Sequence, residues 1–425
     1  PNLYLFRIVL QNSQGGTDRR DIQLGFRELR TQGNQFHLNG RPYFLLGAGS
    51  PPHYENPPRD VARRHLEMLH EAGVRMIRFA HEPPSEMWLD LCDEIGLLAW
   101  IEGALSADDG PYDFANRTLV SNATEEMIAV VKQLENHPSA AIWSMGSGNL
   151  RASQSEESRE TARHVLSLIA QMISRMDQNR TSLRMVAEEE VASGTAGHRR
   201  IALPESDTRL FAPTSVEDWQ TSIGWYHGKT SDWKGFLETL TPRTENLNLP
   251  WVSSEIETGY STASQGRIVP DPVEEAASRM RIGLPGEERE PLLEYQANRI
   301  RQMIFEARAL RNPETHRIAG LFPFTSANWF FNPLTPSAMQ PKPVLNAIAE
   351  AYQPVLLALE LPRVHFYQND PKGEIPSATV TVVNDLFNSP SQPSGTLTFE
   401  VVTEGQAGST VTQRTIPPVP YYENA

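Results

Sequence analysis

Short apolar runs alternate with amphipathic stretches along most of the chain. Residues 43–48, 74–80, 97–102, 140–146, 184–188, 221–226, 251–255 and 317–323 are brief, apolar and rich in strand formers, which predicts strands. In 59–72, 85–95, 122–135, 154–175, 231–239, 291–311 and 343–352 the apolar positions recur every three or four residues, which predicts helices. This alternation predicts a parallel α/β fold, and eight strands with intervening helices make a closed (β/α)8 TIM barrel the simplest solution. An open doubly wound sheet would satisfy the same pattern, but no Gly-x-Gly-x-x-Gly phosphate turn follows any of the strands. The stretch 189–220 shows no clear helix, and no internal repeat is visible.

The two ends are patterned differently. Leu3–Val9, a polar turn at residues 11–16 and Ile22–Phe26 read as two strands, and two strands are not a stable unit alone. They are expected to be the tail of an immunoglobulin-like β-sandwich that begins upstream. At the far end, 377–384 and 396–403 are β-rich runs separated by a Pro/Ser/Gly loop, the expected start of a second sandwich. The expected organisation is therefore 1–30, the end of one β-sandwich; 31–356, the barrel; and 357–425, the start of another.

Composition narrows the partners. A hydrophobic fraction of 39% and a charged fraction of 21% suit a folded globular chain. A net charge of −14 disfavours a nucleic-acid backbone or an anionic membrane as partner and is compatible with a neutral sugar. No apolar run approaches the ~20 residues a membrane-spanning helix needs. Residues 1–6 show neither a charged leader nor a cleavage site, and the compartment stays open. Cys92 is the only cysteine, so neither an intramolecular disulfide nor a cysteine-based metal site is available. Asn116, Asn122 and Asn179 head glycosylation sequons, which matter only in a eukaryotic secretory pathway.

In a (β/α)8 barrel, chemistry sits at the C-terminal strand ends. Those ends carry Arg78 and His81, Glu102, Trp143 with Ser147 and Asn149, Glu188 and Glu189, Tyr226 and His227, Glu255 and Glu257, and Thr325 to Trp329. Aromatic faces that stack on pyranose C–H groups, fixed polar groups for hydroxyls and a carboxylate pair are what a sugar-cleaving site requires. A single glutamate at a strand end is more often a solvated surface group, so the joint placement carries the reading.

Order and spacing of longer motifs then resemble glycoside hydrolase family 2, the β-galactosidase, β-glucuronidase and β-mannosidase group. Gly25-Phe-Arg27 followed by Phe36-His-Leu-Asn-Gly-Arg-Pro-Tyr-Phe-Leu-Leu-Gly47 looks like the entry to that family's barrel. Ile77-Arg-Phe-Ala-His81-Glu-Pro-Pro is similar to its "VRxSHYP" segment, and Trp88-Leu-Asp-Leu-Cys-Asp-Glu-Ile-Gly-Leu-Leu98 with Glu102 to "CDExGL…E". Asn136-His-Pro-Ser139 with Ile142-Trp-Ser-Met-Gly146 resembles "NHPSxxxWSxGNE", and Pro250-Trp-Val-Ser-Ser-Glu255 resembles "KPxxxSEyG". Lys342-Pro-Val, Ala351-Tyr-Gln-Pro-Val and Val383-Asn-Asp385 look like the exit from the barrel. The resemblance implies a retaining exo-β-glycosidase with Glu255 as nucleophile and Glu257 as a weaker claimant. It also implies a sugar subsite lined by Arg78, His81, Glu102, Trp143, Asn149, Tyr226 and Trp329. From the residues alone, Arg78 could instead brace Glu255 or Glu102, Trp143 could be core, and His81 could be a hydrogen-bonded structural residue.

One position departs from the pattern. Where the family carries its acid/base carboxylate, this chain reads Gly146-Ser-Gly148-Asn149-Leu150, so glycine stands at the expected site. General acid–base help contributes ~10²–10⁴-fold to such reactions, so the difference matters. Three readings stay open: a divergent enzyme that recruits Asp108, Asp109, Glu188 or Glu189; an acid/base knockout; or a glycan-binding protein without turnover. The His-rich segment of the galactosidases is replaced by Gly49-Ser-Pro-Pro-His53-Tyr-Glu55. No metal and no cofactor are expected. The expected partner is a carbohydrate, with no nucleic acid and no membrane, and homo-oligomerisation is compatible with the reading.

Overall fold

A computed structural model describes residues 2–53, 56–106, 112–147, 155–176, 181–182, 217–221, 223, 230–240, 250–257, 262–263, 267–268, 289–312, 318–360, 379–387, 391–392, 394–401 and 409–424. Eight parallel strands form the central sheet. They are β1 (Leu45–Gly49), β2 (Met76–Phe79), β3 (Leu98–Ser106), β4 (Ala140–Ser147), β5 (Thr181–Ser182), β6 (Glu217–Thr221), β7 (Trp251–Glu257) and β8 (Ile318–Phe324). Their order is 5-4-3-2-1-8-7-6, so the first and last strands pair, Gly320 opposite Leu45 and Leu321 opposite Leu46. Such pairing curls the sheet into the barrel expected from the alternation, and excludes the open doubly wound order.

Among the described residues, seven α-helices cover the sheet: α1 (Arg59–Glu71), α2 (Glu86–Ile95), α3 (Arg117–Leu134), α4 (Glu156–Met176), α5 (Asp232–Leu240), α6 (Arg289–Leu310) and α7 (Pro343–Ala351). In α1 the apolar stripe is Val61, Ala62, Leu66, Met68 and Leu69, buried against the strands together with His65. α2 stops at Gly96, whose φ of 93° is a left-handed conformation glycine adopts without a side-chain clash. α3 starts five residues before the expected 122, because the Asn116 side chain accepts from the Thr118 and Leu119 N–H groups and caps the helix there.

Two expected strands fall wholly or mostly outside the described residues. The fifth strand was expected at 184–188, outside the described residues; the strand beside β4 is Thr181–Ser182, opposite Ile142 and Trp143. The sixth is expected at 221–226, of which 222 and 224–226 lie outside the described residues; β6 is the more polar Glu217–Thr221, paired in parallel with β7.

Strand alternation sorts side chains into two layers. Leu45, Met76, Trp100, Ile142, Val252 and Phe322 fill the barrel interior, and Leu29 and Phe36 from the small sheet of 29–43 pack with them. Leu46, Ile77, Phe79, Ile101 and Trp143 face the helices. A Cβ at Gly47 would come within 2.0 Å of the Phe322 ring, so that glycine makes room for the interior aromatic. A hairpin, Leu3–Gln11 with Thr17–Gly25, precedes the barrel, and antiparallel strands including Val355–Glu360 and Thr379–Asn384 follow it. Among the described residues, no helix is long and apolar enough to cross a membrane.

Candidate functional site

The sequence places charge where the interior strands end. On β2, Met76 and Arg78 share the inward face; on β3, Trp100 and Glu102 do so, by the two-residue period. Arg78 therefore rises above the apolar layer with its guanidinium 5.5 Å from the Trp100 ring centroid. Its Nη2 donates to Glu102 Oε2 at 2.9 Å, and its Nη1 to Glu255 Oε2 at 3.1 Å and to the Ser254 carbonyl at 3.3 Å. One cation thus joins the ends of β2, β3 and β7.

Glu102 is fully buried. Burial pushes its carboxyl up, but Arg78, His81 and the His81 N–H outweigh this and leave it below its ordinary value. Its second oxygen, Oε1, accepts the His81 backbone N–H at 2.9 Å. His81 takes this position with φ of 71°, a left-handed conformation that is uncommon outside glycine, asparagine and aspartate. The bond to Glu102 anchors that turn and presents the ring, whose edge meets Phe324 with centroids 5.9 Å apart.

β8 leaves the barrel through a cis peptide between Phe324 and Thr325. Its exit is tied to that of β1, because Thr325 Oγ1 and the Ala327 N–H both donate to the Ser50 carbonyl. Below this turn Lys342 is buried, with Nζ donating to the Asn328 carbonyl at 2.7 Å and its N–H to the Trp329 carbonyl at 2.8 Å. His53 lies beside β2 with Nδ1 2.8 Å from the Pro51 carbonyl, and burial pulls its pKa down to about 4. It is neutral at physiological pH.

Glu255 and His81 keep partial side-chain exposure, 13% and 21%, whereas Arg78 and Glu102 have none. Trp143 is corrected from pocket wall to core. Its neighbour Ile142 occupies the barrel interior, so the alternation turns Trp143 outward against the helices, with no exposed surface. Trp329 is likewise fully buried in the helix-side cluster. Gly148, Asn149 and Tyr226 lie outside the described residues, as do Asp108, Asp109, Glu188 and Glu189. At Gly146, near the end of β4, a Cβ would come within 2.0 Å of the Leu105 carbonyl oxygen. Trp100 and Phe324 were missed from sequence, although Trp100 stands two residues before Glu102 and so had to share its face. Among the described residues, no group of three or more His, Cys, Asp or Glu side chains is arranged to hold a metal ion.

Comparison with known proteins agrees in fold and in place. A family model described as glycosyl hydrolases family 2, TIM barrel domain, matches residues 29–255, from the strand entering the barrel to the glutamate held by Arg78. A putative β-glucuronidase of Formosa agariphila is 26% identical over 250 residues, which cover 56% of this chain and 27% of that protein. A β-galactosidase of Vibrio cholerae is 29% identical over 155 residues, 34% of this chain and 15% of that protein. The crystal structure of Parabacteroides merdae β-glucuronidase matches with a TM-score of 0.59 at 18% identity, over 85% of this chain and 43% of that one. This chain therefore matches less than half the length of each of these relatives.

Proposed function

Because the chain belongs to glycoside hydrolase family 2, we propose that it cleaves terminal β-linked sugars, with Glu255 forming a covalent glycosyl-enzyme. The observation that carries this reading is the geometry of Glu255. It stands near the end of β7, partly exposed, with Oε2 tied to Arg78 and Oε1 without a hydrogen-bond partner among the described residues. In the first step Oε1 forms a bond to the anomeric carbon as the bond from that carbon to the leaving oxygen breaks, and that oxygen takes up a proton from solvent, which the second step returns. In the second step water attacks the same carbon, loses a proton and releases Glu255, so two inversions give net retention.

Arg78 and Glu102 act from beneath the pocket. Arg78 fixes the rotamer of Glu255, while Glu102 balances the guanidinium and anchors the His81 turn. His81 is the described side chain placed to meet a sugar hydroxyl. The names of the relatives motivate galactosides and glucuronides as first substrates.

A second reading rests on Gly148: without a carboxylate at that position, the protein binds a glycan and does not turn it over. Activated 2-deoxy-2-fluoro glycosides separate the two, since their leaving groups need no proton. A panel of galacto, gluco, manno and glucuronyl reagents, followed by intact mass and peptide mapping, is expected to add one sugar at Glu255. No adduct across the panel, alongside measurable sugar binding, would assign the binding role instead.

A further inference from the structure

Trp100 is the cross-strand neighbour of Arg78, fully buried, and its ring lies under the Arg78 guanidinium with Cζ 5.5 Å from the centroid. Its own support is the Phe322 ring, met edge to face with centroids 5.3 Å apart. The Trp100 Nε1–H has no hydrogen-bond partner among the described residues. Buried tryptophan N–H groups usually find one, and a donor left desolvated and unpaired destabilises the fold. The rest of this layer, Leu45, Met76, Ile142 and Val252, brings no such donor. A leucine or phenylalanine would fill the floor without an N–H to satisfy, so packing alone does not account for an indole here.

What the indole supplies is a π face. A guanidinium within ~6 Å of a ring centroid is attracted to it, to tryptophan most strongly, and desolvation increases the attraction. That attraction matters because the Arg78 fork is held unevenly. Nη2 lies 2.9 Å from Glu102 Oε2, whereas Nη1 lies 3.1 Å from Glu255 Oε2 and 3.3 Å from the Ser254 carbonyl. The end that meets Glu255 has the longer contacts, and a floor that stops the guanidinium plane from tilting keeps it in place.

We infer that Trp100 is a positioning residue for the transfer of the sugar to Glu255: its ring holds the Arg78 guanidinium level, and Arg78 in turn holds Glu255 Oε2. Fully buried in the layer below, Trp100 touches no sugar and acts through Arg78 alone. The inference rests on the reading of Glu255 as the nucleophile.

The test is the rate at which activated 2-deoxy-2-fluoro glycosides label the full chain, read by intact mass over a range of reagent concentrations. The maximal rate then separates from the half-saturating concentration. Trp100→Phe keeps a weaker π face and Trp100→Leu keeps none; the melting temperature shows whether each is folded, and Trp100→Phe decides where Trp100→Leu is not. The maximal rate should fall about threefold in Trp100→Phe and about tenfold in Trp100→Leu, with the half-saturating concentration unchanged. Added to Arg78→Lys, Trp100→Phe should bring no further loss, because the fork it levels is already gone. An undiminished maximal rate in folded Trp100→Phe, or a change confined to half-saturation, would overturn the inference while Glu255 stays labelled. So would losses that multiply in the double variant, as those of a merely structural role do. No labelling of the wild-type chain by any reagent would overturn it together with the reading of Glu255.

Discussion

Both ends of the barrel carry a buried cluster of guanidinium and carboxylate groups, with the proportions reversed. At the mouth one cation, Arg78, serves two carboxylates, Glu102 and Glu255. At the base one carboxylate, Asp385, serves two cations, Arg308 at 2.9 Å and Arg311 at 2.6 Å. The base cluster is closed. Arg308 also donates to the Ala351 carbonyl, and the Arg311 guanidinium lies 4.3 Å from the Tyr422 centroid and 5.1 Å from that of Phe44. It fastens α6 and α7 to the strands that follow the barrel. At the mouth, by contrast, the surplus carboxylate reaches the surface. The same kind of ion pair is a latch where every charge is enclosed and, in the function proposed above, a reactive group where one is left over.

Removing the surplus group tests this contrast most severely. Glu255→Gln should lower glycoside turnover by roughly 10⁴-fold or more, as loss of a nucleophile does, with little change in melting temperature. Retained turnover at the wild-type rate would remove Glu255 from the chemistry. At the base the sign of the effect reverses. Asp385→Ala leaves two buried cations without their carboxylate, and should destabilise by about 3–5 kcal/mol in denaturant titration, with the folded fraction keeping its kcat/KM. A base substitution that altered kcat/KM as strongly as stability would erase the distinction between the two clusters.

Arg78→Lys keeps the charge and loses the fork that holds Glu102 and Glu255 together. Turnover should fall roughly 10²-fold, mostly in kcat, because Glu255 loses its fixed orientation. An effect confined to KM would mean that Arg78 touches the sugar.

The smallest effect concerns pH. Burial pulls His53 down to about 4 and His65 to about 3, both below the unfolded value near 6.5. A depressed histidine stabilises the fold above its unfolded value, and that contribution is lost as the pH falls toward the folded one. Between pH about 6.5 and about 4, stability should fall by about 1.4 kcal/mol per pH unit for each histidine. His65 lies behind the β8 turn, 3.2 Å from Ser326 Oγ, so His65→Phe should flatten the slope by roughly half. Depressed carboxyls such as Glu102 add their loss at lower pH, where protonation removes the Arg78 pair. An unchanged slope in His65→Phe would place the acid sensitivity elsewhere.

Much of this was legible in the chain itself, and for a local reason. Period-two and period-3.6 patterns depend on neighbours a few residues away, so six of the eight strands and all seven helices fall close to where the patterns put them. Motif order alone places Glu255, Arg78, His81 and Glu102 at strand ends. The pattern did not single out the polar Glu217–Thr221, which pairs with β7.

What the residues alone determined is the alternation of elements, the kind of side chain at each strand end and the family they resemble. What only the tertiary structure decided is which way each of those side chains faces and what it meets. Trp143 turns to the helices because Ile142 holds the interior, and Arg78 bridges Glu102 and Glu255 because barrel closure brings β2, β3 and β7 around one axis. A one-residue change of register would reverse every such facing while leaving the local pattern intact, so facing and partnership belong to the closed barrel.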